Sequence, residues 1–202
     1  VNYEATVGLN GKVTGHHSGG FTPFDIEVTG TLRNGSNSLV VMVDNSRHKD
    51  AVPTDITDWW NYGGITRSVC IVEEPQTFIR DYSVQIRKGA KGNEIYGWVQ
   101  LDGPGVQEAV ISIPELRKSV TVKVGADGRG AFSFKAAPVL WCPRTPKLYA
   151  VSIAAGEDKV DDNIGFRFIR TEGKKLLLND KEIFCKGVAV HEEQIGDGGR
   201  VV

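Results

Sequence analysis

Two adjacent indoles, a carboxylate, an amide and a glycine pair stand together in Asp58-Trp59-Trp60-Asn61-Tyr62-Gly63-Gly64-Ile65-Thr66-Arg67. No periodic core pattern produces such a cluster. Flat ring faces and a carboxylate at one turn suit a sugar: Asp58 can accept from a hydroxyl, or hold a hard cation through oxygen. The competing roles are structural. Asp58 could cap a turn through backbone amides. At least one of Trp59 and Trp60 is expected to plug a core, because indoles bury large areas. Asn61 is expected to lock the turn, and Arg67 to pair with a nearby acid or carbonyl. The apolar stretch 68–72 that follows reads as a strand.

Other reactive side chains are sparse. His16-His17 has no third ligand nearby, so it reads as a loop and not as a metal site. Glu192 and Glu193 are adjacent, and along a strand they point to opposite faces. A carboxylate pair that retains configuration at a glycosidic bond must instead face across about 5–5.5 Å, so these two are not a catalytic pair. The three cysteines, Cys70, Cys142 and Cys185, are odd in number and widely spaced. That argues against a disulfide framework and against zinc, and buried or half-buried thiols are expected.

The elements that must position these groups are strands. Apolar segments are short and alternating, as in 95–101 and 120–124. Asn10-Gly11 reads as a two-residue hairpin turn, and Asp127-Gly128 as another between 120–124 and 131–135. Lys175–Leu178, Asn179-Asp180 and 182–185 read as a small hairpin. No segment carries a sustained helical period. The expected fold is all-β, with two β-sandwiches: a partial jelly roll over 1–75, then an immunoglobulin-like sandwich of about seven strands over 76–170. The boundary is set by Glu73-Glu74-Pro75, since Pro cannot continue a central strand. A third piece, 171–202, carries the short C-terminal hairpin and a polar, Gly-rich tail.

Residues 1–74 offer about five strands where a jelly roll needs about eight, and Val1 already lies inside a strand-like pattern. The first strands are therefore expected to be missing. The open edge that results is expected to drive self-association through the N-terminal region.

Composition narrows the partners. The chain has 202 residues and a formal net charge of −1, with both signs scattered. This argues against a nucleic-acid groove and against an anionic membrane surface. No run approaches the ~20 apolar residues of a membrane span. The compartment, bacterial cytoplasm or periplasm, stays open.

Several motifs, in order, resemble glycoside hydrolase family 2, the family of β-galactosidases and β-glucuronidases. They begin with Leu9-Asn10-Gly11-Lys12, Gly15, His17 and Gly19-Gly20-Phe21-Thr22-Pro23-Phe24-Asp25-Ile26. The alternation of Asn37, Leu39, Val41, Val43 and Asn45 follows, then the Asp58–Arg67 motif. Leu140-Trp141, Pro146, Leu148-Tyr149 and Gly165-Phe166-Arg167 are similar to the end of that family's immunoglobulin-like domain. Leu178-Asn179, Ile183, Lys186-Gly187-Val188 and His191-Glu192 resemble the entry to its (β/α)8 barrel.

The resemblance implies a retaining exo-β-glycosidase acting on a carbohydrate substrate. It implies that Asp58 reaches the substrate, that His191, after the strand-like 186–190, bonds a substrate hydroxyl at the barrel mouth, and that His17 is structural. Ala189-Val190 stands where the family often has Asn-Arg, so the glycone is not legible there. Galactosidase members of the family use magnesium and sodium, the sodium partly through the acid matching Asp58. No cofactor is expected within this chain itself. Both catalytic Glu residues are expected beyond Val202, which makes the chain a non-catalytic N-terminal piece of the enzyme. The rival readings are a stand-alone carbohydrate-binding module and a structural β-sandwich spacer.

Overall fold

A computed structural model describes residues 1–56 and 62–190. It is all-β and divides into two compact units, one built on Val1–Ile71 and the other on Val72–Gly187. Of the three hairpin turns expected above, two hold. Asn10 (φ 54°) and Gly11 (φ 80°) take the positive-φ pair of a tight hairpin. Asn179 and Asp180 do the same at φ 52° and 66°.

In the first unit, β1 (Glu4–Leu9), β2 (Lys12–Ser18) and β3 (Leu39–Asp44) form an antiparallel sheet in the order β2-β1-β3. Ala5, Val7 and Leu9 alternate onto one buried face, and Val43, Val41 and Leu39 sit opposite them in register. The register is pinned at its far end by Asn10. Its side-chain amide donates to Thr31 O (2.9 Å) and Asn37 Oδ1 (2.8 Å), and its Oδ1 accepts from Ser38 N (3.0 Å).

The second unit is the expected seven-stranded sandwich. Its strands are β4 (Phe78–Gly89), β5 (Gly92–Asp102), β6 (Glu108–Ile113), β7 (Lys118–Lys123), β8 (Arg129–Lys135), β9 (Tyr149–Ala155) and β10 (Asp158–Ile164). They form the sheets β4-β5-β8 and β10-β9-β6-β7. Ile95, Val99, Ile111, Ile113, Val151 and Ile153 fill the space between the sheets at 0–1% exposure. Each such side chain contributes roughly 1.5–3 kcal/mol by leaving water. The hydroxyl of Tyr82 on β4 donates to Asp162 Oδ2 on β10 at 2.9 Å, tying the two sheet edges together.

A third sheet, β11 (Ile169–Glu172), β12 (Lys175–Leu178) and β13 (Lys181–Ile183), is held to the sandwich by Asn179. Its Oδ1 accepts from Phe168 N (3.0 Å), and its Nδ2 donates to Trp141 O (3.0 Å).

Other expectations fail. The described residues of the first unit hold three strands, not five. Residues 68–72 are not a strand. Their alternation is real, but no neighbouring strand among the described residues takes their N–H and C=O groups, and Val69 and Ile71 are exposed. Residues 186–190 likewise form no strand, and Val188 and Val190 are exposed.

Cys70 and Cys185 follow their segments into solvent, and only Cys142 is half-buried; all three are free thiols. His16 and His17 lie on β2 and not in a loop, because the Asn10-Gly11 turn extends the hairpin through them. Asp127-Gly128 does not close a hairpin. Strands β7 and β8 lie in different sheets, so this turn carries the chain across the sandwich, with Gly128 N donating to Gly125 O at 2.9 Å.

Candidate functional site

Asp58, Trp59, Trp60 and Asn61 lie outside the described residues, as do His191, Glu192 and Glu193. What the structure describes is the frame from which the 57–61 segment emerges. Its centre is Asn2, 1% exposed, just ahead of β1. Asn2 N donates to Gly64 O (3.1 Å), and Gly64 N returns a bond to Asn2 O (3.2 Å). The Asn2 side-chain amide donates to Tyr62 O at 3.0 Å. Three bonds therefore clamp Tyr62 and Gly64 to the residue just ahead of the sheet.

Gly63 makes the clamp possible. A Cβ there would lie 2.7 Å from Asn45 Cβ, closer than atoms can pack. Asn45 itself follows the last residue of β3. Around the clamp, Tyr3 N donates to Asp44 O (3.0 Å), and Gly19 N donates to Tyr3 O (3.1 Å). The ends of β1, β2 and β3 and the Tyr62–Gly64 turn thus meet at one end of the sheet. These bonds fix the Tyr62–Gly64 backbone against the sheet end.

Carboxylates and imidazoles of the frame have structural work. Asp44 Oδ1 accepts from Ser46 Oγ (2.6 Å) and Ser46 N (2.8 Å). Those bonds, the hydroxyl's first, hold the Asp44 carboxyl below the usual range. It caps the turn leaving β3. His17 stacks on Phe24, with ring centroids 4.1 Å apart and planes 7° from parallel. Its Nε2 bonds Gly19 O (3.1 Å) and lies 3.4 Å from Thr22 Oγ1. His17 therefore organises the Gly19–Thr22 corner, and His16 is occupied with Thr6 Oγ1 at 3.0 Å.

Arg67 donates to Thr66 O at 3.1 Å. Among the described residues no three His, Cys, Asp or Glu come close enough to hold a metal ion. Asp58, through which the resemblance implies sodium, lies outside them.

Asn2 was missed in the sequence because it falls on no periodic face, and Asn45 was read only as the end of the β3 alternation. The one signal pointing to them was Gly63-Gly64, since paired glycines beside a strand mark a close backbone approach.

Residues 1–75 match the family described as glycosyl hydrolases family 2, sugar binding domain. A putative β-glucuronidase of Formosa agariphila is 29% identical over 220 residues, covering 98% of this chain and 26% of that protein. A β-galactosidase of Thermoanaerobacter pseudethanolicus is 27% identical, over 93% of this chain and 28% of its own length. The solved β-glucuronidase from Ruminococcus gnavus in complex with D-glucuronic acid superposes on the whole chain with a TM-score of 0.78 at 26% identity, and 38% of that protein is covered. The chain thus spans roughly a quarter to two fifths of the relatives it matches. Residues 1–75 thus match the sugar binding domain of glycosyl hydrolases family 2, and the likeness to the β-glucuronidases named above continues along the rest of the chain.

Proposed function

We propose that this chain is the non-catalytic, substrate-flanking part of a retaining exo-acting β-glycosidase of the β-galactosidase/β-glucuronidase type, which hydrolyses terminal β-glycosidic bonds in carbohydrates. The observation that carries the reading is the family match of residues 1–75 to a sugar-binding domain. In this reading 1–75 is the jelly-roll domain, 76–170 the immunoglobulin-like domain and 171–202 the start of the barrel. Asp58 accepts a hydrogen bond from a glycone hydroxyl, held in place by the Asn2 clamp behind its loop. His191 bonds a second hydroxyl. The acid/base and the nucleophile are supplied by carboxylates outside these residues, and they do the protonation and the covalent trapping.

The test is hydrolysis of 4-nitrophenyl β-glucuronide and β-galactoside. The intact parent protein turns over at least one of them, and the 202-residue chain turns over neither. In the parent, Asp58→Asn raises KM by roughly 10–100-fold, the worth of a hydrogen bond to a charged group. Turnover by the chain alone, or an Asp58→Asn parent with unchanged kinetics, defeats the reading. We also propose that the chain on its own pairs with a second copy through the β2-β1-β3 sheet, whose outer edges carry no partner strand among the described residues.

A further inference from the structure

The outer face of the β4-β5-β8 sheet carries a feature the glycosidase reading does not use. Strand β5 alternates: Ile95, Val99 and Leu101 point into the sandwich, while Glu94, Tyr96, Trp98 and Gln100 stand on the solvent side, half-buried. A guanidinium covers each ring. Arg87 lies over Tyr96 with its Cζ 4.7 Å from the ring centroid, and Arg129 lies over Trp98 at 3.9 Å.

The two arginines differ in their partners. Arg87 donates to Glu94 Oε2 at 3.1 Å, so its charge is met. Arg129 has no carboxylate partner among the described residues. The nearest acid in sequence, Asp127, turns its Oδ1 to the Arg129 backbone N–H at 3.1 Å. Lys135, on the same strand as Arg129, also has no ion pair among the described residues.

A guanidinium stacked on an indole is pre-organised. Its plane is fixed, its donor edges stay in water, and part of the ordering entropy that binding would cost is already spent. Those edges match a carboxylate or another planar oxyanion in bidentate geometry. The rows around it are polar and small: Ser83 and Ala131 flank Trp98 on the neighbouring strands, and Gln85 and Ser133 flank Tyr96. Successive outward residues on a strand are about 7 Å apart, so one extended chain could touch both rings. Each ring is covered by a guanidinium and flanked by small or polar residues, which leaves little bare apolar area for a protein partner. Hydroxyl-sized hydrogen-bonding groups, flat rings and an uncompensated cation together suit an anionic sugar polymer.

We propose that the Trp98–Arg129 strip is a surface binding site for an anionic polysaccharide, with a carboxylate on the polymer meeting the Arg129 guanidinium. It lies wholly in the second unit, and it stands or falls independently of the glycosidase reading, because it is read by binding and not by hydrolysis.

The experiment is calorimetric titration of the 202-residue chain with polygalacturonate, with neutral dextran and poly-glutamate as comparisons. Polygalacturonate binds, more weakly as salt rises, and dextran does not. Arg129→Gln and Trp98→Ala each weaken binding at least tenfold, while Arg129→Lys, which keeps the charge but loses the planar fork, falls between. Cooperative unfolding of each variant establishes that its fold is intact. The proposal is overturned if polygalacturonate does not bind, if Arg129→Gln binds as wild type does, or if poly-glutamate binds equally well.

Discussion

Tyr82 shows how a single polar pair couples two sheets and leaves a signature in pH. Burial first, then the hydrogen bond to Asp162, push its phenol from 10.0 up to about 12. A group whose pKa is raised by folding contributes stability that is fully present below its unfolded pKa and is lost as pH climbs through the folded one. The window is therefore pH 10 to 12. The pair is partly in water, which limits its worth to roughly 0.5–1 kcal/mol. Tyr82→Phe should lower stability by that amount at pH 8, and the gap from wild type should close between pH 10 and 12. Urea unfolding across this range measures it; a gap that stays constant with pH would show that the bond to Asp162 contributes nothing.

At the level of elements, two glycines separate strain from collision. Gly11 occupies the second position of the β1–β2 turn at φ 80°, with nothing within 4 Å of where a Cβ would stand. An alanine there meets no neighbour, and its cost is the strain of a Cβ in the left-handed region, roughly 1–2 kcal/mol. Gly97 sits mid-strand in β5, and a Cβ would fall 1.8 Å from the Ser83 carbonyl oxygen of β4. Neither strand can yield, because Ser83 pairs with Trp98 and Val84 with Gly97 itself in the β4–β5 ladder. Gly97→Ala should cost at least about 3 kcal/mol and abolish cooperative unfolding of the sandwich, while Gly11→Ala leaves it intact. Thermal unfolding of the two variants, followed by tryptophan fluorescence, decides this. Comparable losses in both would mean that the sheet relaxes around the methyl group.

The molecule as a whole pairs a well-filled unit with a thinly covered one. The sandwich of Val72–Gly187 encloses a continuous core from Ile79 to Phe166. The first unit buries Ala5, Val7, Leu9 and Ala51, yet Val13, Val40 and Met42 are exposed at 57%, 63% and 64%. Apolar surface left in water on a sheet whose edges meet no further strand among the described residues favours association with another copy. Light scattering should show a mass that rises with concentration. Met42→Lys should suppress the rise, and hydrogen exchange in β1 and β3 should slow as concentration increases. A constant monomer mass would overturn the expectation.

Much of this architecture could be read from the residues alone, because turn chemistry and alternation are local. Asn10-Gly11 and Asn179-Asp180 announce their hairpins by the positive φ both positions demand. Ile95, Val99 and Leu101 announce a buried face by their spacing. The order of motifs was enough to show the resemblance that the family match of residues 1–75 bears out. What the chain could not declare locally was which strand each segment meets. Residues 68–72 alternate as a strand does but find no ladder among the described residues, and Cys70 is exposed with them. The same limit hid the route of Asp127-Gly128, since a tight turn looks alike whether it closes a hairpin or crosses between sheets. It also hid Asn2, whose place under Tyr62 spans 60 residues of sequence. Local sterics act within a few residues and are written in the order of side chains. Partner choice and close approach between distant segments depend on the closure of the whole sheet, and only the tertiary structure decides them.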